Sequence, residues 1–229
     1  MGKISIEYIL YLHILVGAIS LITGAIAILS AKGKKIHKKA GQIYFYAMTG
    51  VFVTGIIVAS FQFNRFLFLI AFLSYYTVFS GVRILKLKQL HKQQKPNWYD
   101  WFAGIINSIA NLVFVILGIY FGFIKGFDSG GALLSIGFGI GGLALSYTNL
   151  KPFIVRPDKA HHWYLSHIGN MVGGYIATFT AFLSTVVSRY NFMNPYLAFA
   201  LPALIGVPLL LYWLHKTEQR FNPKTKSQL

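Results

Sequence analysis

The sequence predicts an all-α fold: a polytopic membrane bundle of about seven transmembrane helices, N-terminus outside and C-terminus in the cytoplasm. Three observations predict it. Of 229 residues, 55% are hydrophobic and only 11% are charged, about half the charged fraction with which a soluble domain covers its surface. The apolar residues fall in long blocks, each enough to cross about 30 Å of hydrocarbon at about 1.5 Å per residue. The cationic residues gather in alternate loops between those blocks, as orientation by positive charge requires.

The first block covers about 8–30. Only Lys3 precedes it, offset by Glu7, and the block is too long for the core of a cleavable signal, so it is expected to stay as a helix. Six more helices are expected at about 40–61, 66–85, 101–123, 131–149, 164–187 and 196–215. The loops test this count. One set carries Lys32, Lys34, Lys35, Lys38 and Lys39, then Arg83, Lys86, Lys88, Lys92 and Lys95, then Lys151, Arg156 and Lys159, then Lys216, Arg220, Lys224 and Lys226. The other set has Lys3, Arg65, Lys125 and Arg189. That is 17 cations against 4, and one span more or fewer breaks the alternation.

Aromatic anchors agree: Trp98, Tyr99 and Trp101 at the start of the fourth helix, Trp163 and Tyr164 at the start of the sixth, Tyr212 and Trp213 at the end of the seventh. Gly130-Gly131 and Asn194-Pro195 mark outer turns. The reading is one transmembrane domain over 1–229, multi-pass in the cell (inner) membrane. Its expected partners are the bilayer and, at the cytoplasmic loops, anionic lipid headgroups. The net charge of +16 is spread over loops rather than gathered in a soluble module, so nucleic acid is not expected.

Several helices carry stripes of small and polar residues. Such stripes let helix backbones approach and bond to one another. His13, Gly17, Ser20, Gly24 and Ala27 share a face of the first helix. Asn107 and Asn111 do so on the fourth, and His167, Asn170, Gly174 and Thr178 on the sixth. The alternative to plain packing is a polar path through the bundle, with Asn107, Asn111, Asn170 and Thr178 as contacts.

The absence of Cys removes thiolate metal sites and leaves imidazole as the main metal or haem ligand. Six of seven histidines fall toward the cytoplasmic side. His13, His37, His162, His167 and His215 are the candidate cofactor ligands, with His162 and His167 first for a metal ion and Asp158 placed to orient a histidine. The plain alternative makes them interfacial residues beside Lys and Trp. His13 and His167 lie about 15–20 Å apart along the membrane normal by helical rise, so they are not expected to share one cofactor. No acid falls deep in a span: Glu7 and Asp128 are outer, while Asp100, Asp158 and Glu218 are inner. That argues against an ion-coupled pump. No P-loop, dinucleotide fingerprint or HExxH is present.

Two stretches carry a resemblance. One runs from His13-Ile14-Leu15-Val16-Gly17 to Lys34-Lys35-Ile36-His37-Lys38-Lys39-Ala40-Gly41. The other is Asp158-Lys159-Ala160-His161-His162-Trp163, then His167, then Tyr175-Ile176-Ala177-Thr178 and Thr180-Ala181-Phe182. Together they resemble bacterial multi-spanning membrane proteins grouped as a domain of unknown function (group 2306). The resemblance covers about a third of the chain. It implies no activity and points at His13, His37, Gly41, His162 and His167.

Three functions follow. The lead is a His-based metal or haem site at the cytoplasmic face, supporting redox or hydrolytic chemistry in the membrane. The second is a small-solute transporter or channel. The third is a ligand-free assembly partner. The sequence does not decide whether the protein is an enzyme.

Overall fold

The structure, a computed structural model, describes residues 3–61, 65–127 and 130–221. Its long helices are α1 (Lys3–Leu29), α2 (Lys35–Phe61), α3 (Arg65–Arg83), α4 (Trp98–Lys125), α5 (Gly130–Ile154), α6 (His162–Tyr190) and α7 (Pro195–Phe221). All seven are long and apolar enough to cross a membrane. Asp128, Lys224 and Lys226 lie outside the described residues.

The helices overrun the apolar blocks mainly at the lysine-rich end. The α5 helix passes through Pro152 to Ile154, and α7 runs to Phe221. Hydrophobicity marks where hydrocarbon ends, but backbone hydrogen bonding continues past it while long cationic side chains reach for water. The same effect starts α2 at Lys35, so His37 belongs to its first turn and not to a loop. The α1–α2 reversal depends on Gly33, whose φ of +75° suits a residue without Cβ.

The α3 helix tightens into a 3-10 turn over Ile84–Lys86, and a second such turn covers Leu90–Lys92. Ile84, Leu87 and Leu90 form a small buried cluster there, packed by Phe153 and Trp163. Asp100 organises the start of α4. Its Oδ2 accepts the Asn97 backbone N–H at 2.9 Å, closing the first turn.

Neighbouring helices pair as α1 with α2, α4 with α5 and α6 with α7, while α3 and α6 occupy the middle. The interior mixes small and polar residues with two apolar clusters, and the exterior is apolar, as lipid demands. Ser20, Thr54, Thr77, Asn107, Asn111, Ser146, Asn170 and Thr178 are buried, whereas Leu15, Ile22, Ile109, Ile116, Leu204 and Leu209 are exposed. Two apolar clusters tie the middle together. Tyr44, Met48 and Val78 join α2 to α3, with Met171 and Tyr175 of α6 against them. Leu69, Ala110 and Phe114 join α3 to α4, with Phe138 of α5 beside them.

Candidate functional site

A cavity of about 690 Å³ lies between α1, α2, α3, α6 and α7 at the lysine-rich end. Its existence depends on close approach. At Gly24 an added Cβ lies 2.5 Å from the Tyr175 ring and 3.1 Å from Tyr44. Glycine there lets both aromatic rings pass across α1 and form the wall. Tyr175 is fixed by donating its hydroxyl to the Leu21 carbonyl at 3.2 Å.

Two histidines line this cavity, His37 from α2 and His167 from α6. Their ring centres are 6.4 Å apart and their planes stand at 80°. Each Nδ1 sits on a backbone carbonyl: His37 on Ala27 at 2.9 Å, His167 on Gly81 at 2.7 Å. Those carbonyls fall in the last turns of α1 and α3, where no intrahelical N–H remains for them. A carbonyl only accepts, so each Nδ1 carries the proton and donates. Each Nε2 is left with its lone pair, and neither has a protein partner among the described residues.

The mouth is basic and aromatic. Lys32 Nζ donates to the Ala27 carbonyl at 3.3 Å and to Ile28, and it lies 5.1 Å from the Trp213 ring centre. Partial burial holds this ammonium below the usual lysine range. Lys88 Nζ lies 4.4 Å from the Trp163 ring centre. Lys38 and Lys86 also line the cavity.

Arg83 borders it too, but is committed elsewhere. Its Nε and Nη2 donate to Asp100 Oδ1 at 2.6 Å and Oδ2 at 2.9 Å, and its guanidinium lies 4.6 Å from the Tyr99 ring. A second, much smaller cavity of about 20 Å³ lies beside this pair.

Of the five candidate histidine ligands, then, two come together. His13 bonds Thr54 at 2.9 Å, and Thr54 lies about 26 Å along α2 from His37 by helical rise. His162 donates to the Lys159 carbonyl at 3.2 Å and pairs with His91 at 6.1 Å, not with His167. Five residues along one helix turn two side chains about 140° apart, which separates His162 from His167. His215 is exposed on α7 and bonds Gln219 at 2.9 Å. Among the described residues no group of three or more His, Cys, Asp or Glu is placed to hold a metal ion. Asp158 makes no ion pair among them.

The four polar residues considered for a transport path do not line this cavity. Asn107 donates to Ser146 at 2.8 Å, and Asn111 donates to the Asn107 carbonyl at 2.7 Å. Asn170 and Asn149 exchange amide bonds at 3.0 and 2.8 Å, clamping α5 to α6. Thr178 meets Tyr44 at 3.3 Å, joining α6 to α2. Sequence reasoning missed Tyr44, Tyr175, Lys32 and Lys88 as cavity residues. Tyr175 entered only within the stretch that carries the resemblance, and the others read as a generic aromatic or loop cation.

Comparison with known proteins returns nothing: no family model, no curated protein and no solved structure matches the chain.

Proposed function

We propose that the lysine-rich end faces the cytoplasm of a cell inner membrane. There, His37 and His167 would hold a haem in the cavity, and the chemistry it would supply is electron exchange with a membrane-soluble partner. The excess of cations in alternate loops supports the orientation. The kinship with the group 2306 membrane proteins belongs to the same proposal and rests on the motif residues quoted above.

The observation that carries the haem reading is the spacing of the two rings. A metal-bound imidazole nitrogen lies about 2.0–2.1 Å from the metal and about 1.1 Å from its own ring centre; two imidazoles opposite each other across one metal therefore have centres about 6.3 Å apart, and two at a tetrahedral angle about 5 Å. The separation of 6.4 Å fits the opposed arrangement. Two opposed protein ligands suit a metal whose other positions are filled by a planar macrocycle. A hydrolytic zinc site takes three protein ligands, and no third His, Cys, Asp or Glu accompanies this pair among the described residues. The support therefore falls on the redox half of the lead reading.

The cavity volume of about 690 Å³ lies within the range of about 300–1,000 Å³ usual for cofactors. The protein's own contribution is orientation. The Ala27 and Gly81 carbonyls hold each Nδ1–H, which fixes ring direction and leaves Nε2 free. The Tyr44, Phe45 and Tyr175 side chains wall the site. A bound haem supplies one-electron exchange at a potential set by its axial ligands and surroundings.

The test is the visible spectrum of protein purified from haem-supplied cells, oxidised and then reduced with dithionite. About one haem per chain is expected, lost in His37→Ala and His167→Ala and kept in His162→Ala and His215→Ala. A colourless wild type that takes up no added haem refutes the proposal.

A further inference from the structure

The charge around the cavity is unbalanced. Five basic residues line it, Lys32, Lys38, Arg83, Lys86 and Lys88, and no Asp or Glu does. Asp100 neutralises Arg83. The four lysines have no carboxylate partner among the described residues. All four lysines are exposed, so the mouth of this apolar, aromatic-walled space presents uncompensated positive charge to an incoming anion.

Two of the four are held in place. Lys32 uses the end of α1 and the face of Trp213; Lys88 uses the face of Trp163. A lysine ammonium has three donors. Lys32 places two on carbonyls and keeps one, and Lys88 Nζ has no hydrogen-bond partner among the described residues. Holding a flexible side chain beforehand lowers the entropy cost of binding a ligand. The supports come from different elements: Trp213 from α7 and Trp163 from the start of α6.

We infer that the ligand of this cavity is a dianion, an amphipathic macrocycle whose two carboxylates are gripped by Lys32 and Lys88 while His37 and His167 take its metal. This rests on the haem reading and adds what that reading leaves open: which end of the macrocycle faces the water, and which side chains select a free dicarboxylic acid over a neutral ester. The carboxylate edge points to the mouth and the apolar edge lies against Tyr44 and Tyr175.

The experiment uses the full chain in nanodiscs of neutral phosphatidylcholine, titrated with iron protoporphyrin IX and with its dimethyl ester, read by the Soret band. The free acid is expected to bind roughly tenfold tighter, the sum of two partly exposed ion pairs. Lys32→Gln/Lys88→Gln should bring that ratio toward one, and Lys32→Arg/Lys88→Arg should keep it. Equal binding of acid and ester by wild type, both with a six-coordinate spectrum, overturns the dianion and leaves the haem reading standing. A ratio that survives the glutamine pair puts the grip elsewhere and also overturns it. Binding of neither compound removes both readings. The titration is repeated in discs containing phosphatidylglycerol. A ratio retained there supports the inference; a ratio lost there shows that the lysines serve lipid phosphates.

Discussion

Replacing Asp100 with alanine isolates the contact that anchors one wall of the cavity. Its carboxylate is almost fully buried, with 2% of the side chain exposed, and it holds Arg83, itself 14% exposed, through two hydrogen bonds. Removing one partner of a buried pair leaves the other charge uncompensated, which costs about 3–5 kcal/mol. Asp100 also closes the first turn of α4 by accepting the Asn97 N–H, and an acidic group there contributes about 0.3–1 kcal/mol. Asp100→Ala should therefore destabilise the fold by about 4 kcal/mol, or lower Tm by about 10 °C for a chain of this size. The assay is thermal unfolding in mild detergent, with Arg83→Leu/Asp100→Leu alongside. Replacing both partners removes the stranded charge, so the double variant should recover most of the loss. An Asp100→Ala variant within about 1 kcal/mol of wild type refutes the argument. The effect should reach the site, because Gly81, whose carbonyl orients His167, lies two residues before Arg83.

Two further outcomes follow from the same geometry. In Gly24→Val the new side chain starts 2.5 Å from the Tyr175 ring. It should cost about 1–3 kcal/mol and close the cavity to added haem. In Gly141→Ala, outside the cavity lining, the new Cβ meets nothing within 4 Å, so haem uptake should match wild type; equal uptake by both variants counts against this cavity as the haem site. The ring planes of His37 and His167 stand at 80°. Were His37 and His167 to hold a haem iron with these near-perpendicular planes, its low-spin ferric EPR signal would be strongly anisotropic. A signal of the parallel-plane type is inconsistent with this pair as ligands.

The fold was legible because the bilayer imposes a length on every span and a side on every loop. Seven apolar blocks became seven helices, and the differences lie at their ends. The start of α2 shows why. Lys35, Lys38 and Lys39 look like loop to any hydrophobicity argument, yet the helix continues through them and carries His37. The site was legible only in part. His37 and His167 stood among five candidates, but 130 positions separate them, and no periodicity within one helix reports on a contact between two. Nor did the sequence separate His167 from His162, although the angle between positions five apart argued against their sharing a site. The polar stripe on α4 shows the reverse case. Asn107 and Asn111 are buried, as their spacing on one face suggested, and they meet α5 at Ser146 and Gly142. An added Cβ at Gly142 lies 2.0 Å from Asn111 Oδ1, so this face is filled by packing.

What sets the histidine pair is the ends of two other helices. The α1 helix stops at Leu29, and Gly33 turns the chain so that α2 starts beside it. His37 thereby returns to the Ala27 carbonyl, two residues inside the end of α1. His167 makes the same contact with Gly81, two residues inside the end of α3. In both cases a carbonyl left over by helix geometry fixes which nitrogen bears the proton and which is free. The direction of each free Nε2 is thus set by backbone, which a side-chain substitution elsewhere in the cavity does not easily move. Lys32 competes for the same Ala27 carbonyl, so the cation at the mouth and the imidazole behind it share one support. The Ser30 hydroxyl donates to that carbonyl as well, at 3.2 Å, so a change that draws Lys32 outward toward an anion leaves it to His37 and Ser30. Binding of a negative group at the mouth and the orientation of the His37 ring are therefore linked through a single oxygen atom.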